Sequence, residues 1–163
     1  MRIIKIVILR IVSYLFLYLF FLPSSLLASS GTVLKIIDGD SLIVRDSSGA
    51  RIEMRLYGID SPEWNQKDAF LAKKYLSQSI LRKRVSYTVY DYDRYGRAVV
   101  LVKRNGRIIN EVLVQKGYSW FYPRYCRKKI CASWKKLEKE ARRKRWGLWK
   151  EKNPVSPWRW KHK

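Results

Sequence analysis

Arg51-Ile52-Glu53-Met54-Arg55-Leu56-Tyr57 alternates polar and apolar side chains from end to end. A two-residue period places successive side chains on opposite faces, so this stretch reads as a half-buried β-strand with Arg51, Glu53, Arg55 and Tyr57 on one face. The preceding sequence has the same character. Thr32-Val33-Leu34-Lys35-Ile36-Ile37 is an apolar run that stops at Asp38-Gly39-Asp40, Ser41 to Arg45 is a second run, and Asp46-Ser47-Ser48-Gly49 is a turn. Three strands joined by tight turns make a meander.

The sequence that follows adds helices and two more strands. Lys67 to Leu81 spaces Phe70, Leu71, Tyr75, Leu76 and Ile80 as a helix does, with Arg82-Lys83-Arg84 expected to close it by favourable charge at its C-terminus. Val85 to Tyr90 and Ala98 to Val102 return to strand, and Asn105-Gly106 predicts a hairpin turn. Asn110 to Gly117 reads as a short helix capped by Asn110 and ended by Gly117; Ser133 to Trp146 reads as a longer one stopped by Gly147. Lys150 to Lys163 shows no period. The expected class is mainly β with helices, a five-stranded oligonucleotide-binding barrel.

At 163 residues, with 47% apolar residues, one domain with a real core is expected. Net charge is +22, from 35 Lys and Arg against 13 Asp and Glu, which points to a polyanionic partner. Residues 1–30 contain Arg2, Lys5 and Arg10, then an apolar stretch from Ile11 to Leu22, then Pro23 and small residues. That order reads as a secretory signal cleaved after Ala28 or Ser30. The alternative is an uncleaved membrane anchor over residues 3–22, which are about long enough to span a bilayer. Export is expected either way, to the medium or the periplasm if the signal is cleaved and to a membrane-anchored position if it is not. Residues 31–150 form the barrel domain and 151–163 a basic tail with Trp and Pro. Cys126 and Cys131 are a disulfide candidate in an oxidising compartment, two free thiols being the alternative.

Three clusters carry chemistry: Asp38-Gly39-Asp40; Arg55 with Leu56 leading to Ile59-Asp60-Ser61-Pro62-Glu63; and Asp93-Arg94-Tyr95-Gly96-Arg97. Acids and arginines on turns and strand ends suit one hard cation and one phosphate. Arginine presents a permanently charged planar fork to phosphate oxygens. Each residue also has an ordinary alternative. Asp40 can be a turn residue, Arg55 a solvated strand residue, Ser61 and Glu63 a helix entry, and Asp93 with Arg97 a surface ion pair. Asp38 reads as a turn residue or a support for its neighbours. His162 is the only histidine and sits at the chain end, which excludes a histidine-based nuclease mechanism.

In order and spacing, the three clusters resemble the staphylococcal nuclease (thermonuclease) family. So do Asn110-Glu111-Val112-Leu113-Val114 before Gly117, Gly147-Leu148-Trp149, and Pro157-Trp158-Arg159-Trp160. The resemblance covers about residues 31–160. It implies an oligonucleotide-binding barrel and calcium-dependent hydrolysis of DNA and RNA by a monomer, with magnesium left open beside calcium. It implies Asp40, Asp60 and the backbone carbonyl of Ser61 as calcium ligands, Glu63 as the group acting on water, and Arg55 and Arg97 as phosphate-binding arginines. Tyr122 and Tyr125 are candidates to hold a base, with Pro123 and the cysteine pair departing from the best-known family pattern; Trp120 and Phe121 are open between base stacking and core packing. Arg124 to Lys163 holds 16 Lys and Arg against three Glu, so backbone contacts with a polyanion are expected. A catalytically silent nucleic-acid-binding barrel is the alternative function. A cationic membrane- or polysaccharide-binding protein is a third reading, which leaves the acids unexplained.

Overall fold

The computed structural model describes residues 28–162. The leader expected over residues 1–30 therefore lies outside the described residues, apart from its last three positions. Strands β1 (Ser29–Ile36), β2 (Ser41–Asp46) and β3 (Arg51–Leu56) form the expected antiparallel meander. β5 (Arg84–Tyr92) pairs with the other edge of β1, and β6 (Ala98–Arg104) follows it antiparallel. β6 then runs parallel to β3, Met54 opposite Ala98 and Leu56 opposite Val100, which closes a five-stranded barrel. Closure leaves the barrel without a long open edge. The register shifts of β1 between Val33 and Lys35 and of β5 between Val89 and Asp91 supply the local bends that closure needs.

The alternation in sequence decides what lies inside. Val33, Leu42, Val44, Met54, Leu56 and Val100 are fully buried, while Arg51 and Glu53 face solvent. Each large apolar side chain buried in this way contributes about 1.5–3 kcal/mol. Exposed ion pairs contribute about 0–1 kcal/mol, so the barrel interior, rather than the abundant surface charge, holds the fold. Helix α1 (Ala69–Ile80) buries Ala72, Leu76 and Ile80, the last two in the same core as the barrel strands. At the Asn105-Gly106 turn both residues have positive φ, 49° and 74°, as expected of a two-residue hairpin between β6 and β7 (Arg107–Ile108).

Helix α2 (Ile109–Gln115) differs from its sequence reading in one instructive way. Asn110 does not cap it. The residue is fully buried, accepts a hydrogen bond from Val102 N at 3.0 Å, and donates to Tyr57 O and Val100 O, each at 3.0 Å. An amide with both donor and acceptor groups ties the helix to the backbone at Tyr57, Val100 and Val102, where buried polar groups need partners. Tyr57 also departs from the expected polar face. β3 ends at Leu56, and Tyr57 turns inward so that its hydroxyl accepts from Arg127 N at 2.8 Å and Lys128 N at 3.2 Å. The last turn of α1 contains no basic residue; the helix stops at Ile80, and Arg84 already belongs to β5.

Beyond α2 the chain builds a second, smaller core. The two-residue strands β4 (Ile59–Asp60) and β8 (Trp120–Phe121) pair with each other. Helix α3 (Trp134–Arg143) ends three residues before Trp146, earlier than expected, because Arg145 already adopts a left-handed backbone at φ 53°. Trp120, Ala141, Leu148 and Trp149 cluster beneath it, and Trp158 packs on them from the one-turn helix α4 (Pro157–Trp160). The Arg142 guanidinium lies 3.9 Å from the Trp149 ring centre and 4.6 Å from that of Trp120, a cation over an electron-rich face. Trp120 and Phe121 are thus core residues.

Cys126 and Cys131 are joined in a disulfide with Cα atoms 5.8 Å apart. Cys126 packs against Gly58, where φ is +73° and a Cβ would collide with the sulfur. Only glycine lets the chain turn there and approach so closely.

Candidate active site

Asp40 follows the turn between β1 and β2, and its position is fixed before its side chain makes any contact. Asp38 accepts a hydrogen bond from Asp40 N at 2.9 Å, and Asp40 O accepts one from Leu56 N at 2.8 Å. Gly39 lies so close to Ser61 and Ala72 that a Cβ there would come within 2.6 Å of Ser61 Cβ and 2.8 Å of Ala72 Cβ. The missing side chain brings the Asp40 turn against the segment that follows β4. Asp38 thus supports its neighbour, and Gly39 makes room for the meeting.

Asp40 and Asp60 are both buried, and Arg55 of β3 spans them. Its Nη1 pairs with Asp40 Oδ1, and its Nη2 lies 2.5 Å from Asp60 Oδ1 and 3.3 Å from Ile59 O. Ser61 N donates to Asp40 Oδ2 at 2.5 Å, so the second acid cluster is tied directly to the first. Ser61 Oγ lies 2.5 Å from Ser119 Oγ, which fixes the same segment to the residue before β8.

Arg97 is reached through Ser41. Its Nε donates to Asp93 Oδ2 at 2.7 Å, its Nη1 lies 3.4 Å from Ser41 Oγ, and Ser41 Oγ donates to Asp40 Oδ1 at 3.3 Å. Glu63 stands at the edge of this group. Its Oε1 is 2.8 Å from Lys161 Nζ, and its charge is close enough to act on Asp60. The helix-entry alternative for Ser61 and Glu63 fails, because α1 starts at Ala69 with Asp68 at its cap position.

The electrostatics follow from burial. Loss of water raises the Asp60 pKa; the charges of Arg55 and then Lys161 oppose this without cancelling it, and Glu63 adds to the rise. Two buried carboxylates share one arginine, so negative charge is left under-compensated. Every acidic donor here is oxygen, and Ser61 contributes main chain beside it. That is the donor chemistry of a hard cation such as calcium, which takes 6–8 oxygen ligands. Among the described residues no three His, Cys, Asp or Glu side chains form one metal-holding cluster. The side chains suited to a cation are therefore the two aspartates, with main chain, water and substrate oxygens left to complete its shell.

Asp93 behaves in the opposite sense. Its burial disfavours the charge, yet the hydrogen bonds from the Arg97 side chain, Arg97 N and Tyr95 N outweigh this and lower its pKa below 3.8. A lowered folded-state value means stability that is fully present above pH 3.8 and lost as pH falls through the folded value. Asp93→Asn should therefore cost about 0.5–1 kcal/mol at neutral pH. In thermal melts across pH, the gap from wild type should close below that point; a gap unchanged into acid would show that the charge contributes nothing.

Tyr122 and Tyr125 form an edge-to-face pair at 4.9 Å, and Tyr122 also stacks on Trp158 at 4.7 Å with planes 10° apart. Tyr125 is exposed, while the ring of Tyr122 is already partnered. Sequence reading missed Tyr95, an exposed ring with the Arg97 guanidinium 5.4 Å from its centre and that of Arg94 4.9 Å away. An aromatic between two arginines in a turn was the available signal. Ser119 and Lys161 gave none, since each takes its place through contacts distant in sequence; Ser41 adjoins the Asp40 cluster, but its link to Arg97 is not visible locally.

The staphylococcal nuclease homologue family matches residues 53–151, more than half of the chain. The chain belongs to the staphylococcal nuclease family. Its barrel, closed by β3 and β6 and carrying helices, is the staphylococcal-nuclease-like oligonucleotide-binding fold in an α+β setting. An uncharacterized endonuclease of Escherichia coli O157:H7 is 33% identical over 150 residues, 91% of this chain and 95% of that protein. A micrococcal nuclease of Shigella flexneri is 37% identical over 140 residues, 80% of this chain and 79% of its own. A staphylococcal-like nuclease of Arabidopsis thaliana is 40% identical over 111 residues, 68% of this chain but 33% of the plant protein.

Proposed function

We propose that this member of the staphylococcal nuclease family is an exported, calcium-dependent nuclease that hydrolyses phosphodiester bonds in DNA and RNA. The observation that carries the reading is the convergence of Asp40, Asp60, Arg55 and Arg97, from three separate segments, into one hydrogen-bonded chain through Ser41 and Ser61. The names of the relatives, endonuclease and micrococcal nuclease, support the same chemistry. The net charge of +22 supports a polyanionic substrate, since neutralising phosphates releases counterions.

Asp40, Asp60 and the Ser61 carbonyl would hold the calcium ion. When bound, such an ion polarises a phosphoryl oxygen and supplies positive charge near the reacting phosphate. Glu63 would orient the attacking water and accept its proton, a role for which a carboxylate at the rim of the buried acids is placed. Arg97 would bind the non-bridging oxygens, where charge gathers as the water attacks, and Arg55 would join it once its pairs with Asp40 and Asp60 give way to the cation, so that both favour the transition state over the ground state. Asp93 holds Arg97 by its Nε and thereby sets the direction of the rest of the guanidinium. Tyr125 and Tyr95 offer exposed rings on which a base can stack, worth about 1–3 kcal/mol each.

The Cys126–Cys131 disulfide supports export, because such bonds persist in oxidising compartments. Every group named comes from one chain, so a monomer suffices. The deciding experiment is incubation with single-stranded DNA and with RNA, with calcium or with a chelator. Cleavage that the chelator abolishes is expected. Tight binding without cleavage in any divalent metal would instead establish the catalytically silent barrel.

A further inference from the structure

Residues 63–67 project side chains toward one distant partner. Glu63 pairs with Lys161, Asn65 Oδ1 accepts from Trp160 Nε1 at 3.0 Å, Gln66 Nε2 donates to Val155 O, and Lys67 pairs with Glu151. Trp64 is the exception and points into solvent, 85% exposed. The segment that receives these contacts is fixed independently of them. Ser156 and Pro157 are buried, and Trp158 packs edge-on against Trp120 at 5.6 Å and flat on Tyr122. The C-terminal segment is therefore anchored on the second core, and the loop carrying Glu63 is tied to it at four points.

We propose that Lys161 is a positioning residue for catalysis, holding the Glu63 carboxylate by one oxygen so that the other faces the attacking water. This rests on the role given to Glu63 above. The pair lies at the surface, with 53% of the Lys161 side chain and 27% of that of Glu63 exposed. A pair so placed adds at most about 1 kcal/mol to folding. Its consequence is orientation: a glutamate has three rotatable bonds, and one fixed oxygen removes most of the freedom that would misplace the other. Errors of about 1 Å at a reacting group cost up to about a hundredfold in rate. The basic tail thus contributes one specific charge to the catalytic group, in addition to its general attraction for phosphates.

The test compares full-length wild type, Lys161→Met and Lys161→Arg on single-stranded DNA with calcium, measuring kcat, KM and Tm. Lys161→Met keeps the aliphatic stem and removes the charge. Its kcat should fall about tenfold, with KM within about twofold and Tm unmoved, while Lys161→Arg should retain most of the rate. An unchanged kcat in Lys161→Met overturns the proposal. A raised KM at unchanged kcat makes Lys161 a contact to substrate phosphate and also overturns it. A raised kcat makes the segment an inhibitory lid, with the same result. Wild type that cleaves nothing overturns the nuclease reading itself and this inference with it, an outcome distinguishable from the other three.

Discussion

Glu63→Gln is expected to lower kcat on single-stranded DNA by about 10²–10⁴-fold, the range lost with a positioned acid or base. The substitution keeps the shape of the side chain and an oxygen for Lys161, and removes only the carboxylate charge and its ability to take a proton. Little stability should be lost. The main-chain contacts that hold Glu63, its N to Gln66 Oε1 at 3.2 Å and its O from Gln66 N at 2.8 Å, are untouched. Binding of DNA without divalent metal should also persist, because affinity comes from basic groups spread over the surface. The decisive comparison is kcat against Tm on one preparation. Turnover equal to wild type would remove Glu63 from its role, whereas a fall in both kcat and Tm would make it structural.

Arg55→Met should produce the largest loss of stability, about 3–5 kcal/mol in the absence of divalent ions, as when one partner of a buried ion pair is removed. Asp40 and Asp60 have side-chain exposures of 3% and 4%, and Arg55 pairs with both. Without it two carboxylates would face each other in a dry setting. Catalysis should fall as well, by about 10²–10³-fold for a lost transition-state donor. Calcium gives the experiment a second axis. An ion that binds the folded form stabilises it by mass action, and it would replace the charge Arg55 supplied. Calcium should therefore raise the Tm of Arg55→Met more than that of wild type. A variant as stable as wild type in chelator would mean that the arginine does not hold the acids together.

The barrel was legible because its strands face two environments. Met54 and Leu56 must enter the core when Arg51 and Glu53 stay in water, and that alternation is written in the order of residues. The parallel closure of β3 on β6 leaves no such mark, since Met54 and Ala98 become neighbours only through the turns between them. Asn110 was misread for a related reason. An Asn before a helical run signals a cap, but here its amide is committed to Tyr57, Val100 and Val102, which no local window contains. At the site, Asp40, Asp60, Arg55 and Arg97 stood out because three clusters of acids and arginines occur together in the order and spacing of a known family; taken singly, each also read as an ordinary turn, strand or surface residue. Lys161 looked like one more cation in a basic tail. Its partner is about a hundred residues away, and the packing of Trp158 on Trp120 and Tyr122, with the contacts of Asn65, Gln66 and Lys67, brings the two ends together.

The parallel ladder between residues 54–56 and 98–100 also sets the timetable of assembly. A chain emerging from a ribosome or a translocation pore presents β1, β2 and β3 first, and they can zip as hairpins. The cylinder stays open until β6 follows. Topologies dominated by such distant pairings fold slowly for their size, and an open cylinder exposes the apolar interior meanwhile. Residues 28–97 carry 12 Lys and Arg against nine Asp and Glu, so most of the charge that could hold neighbouring copies apart emerges only with β6 or after it.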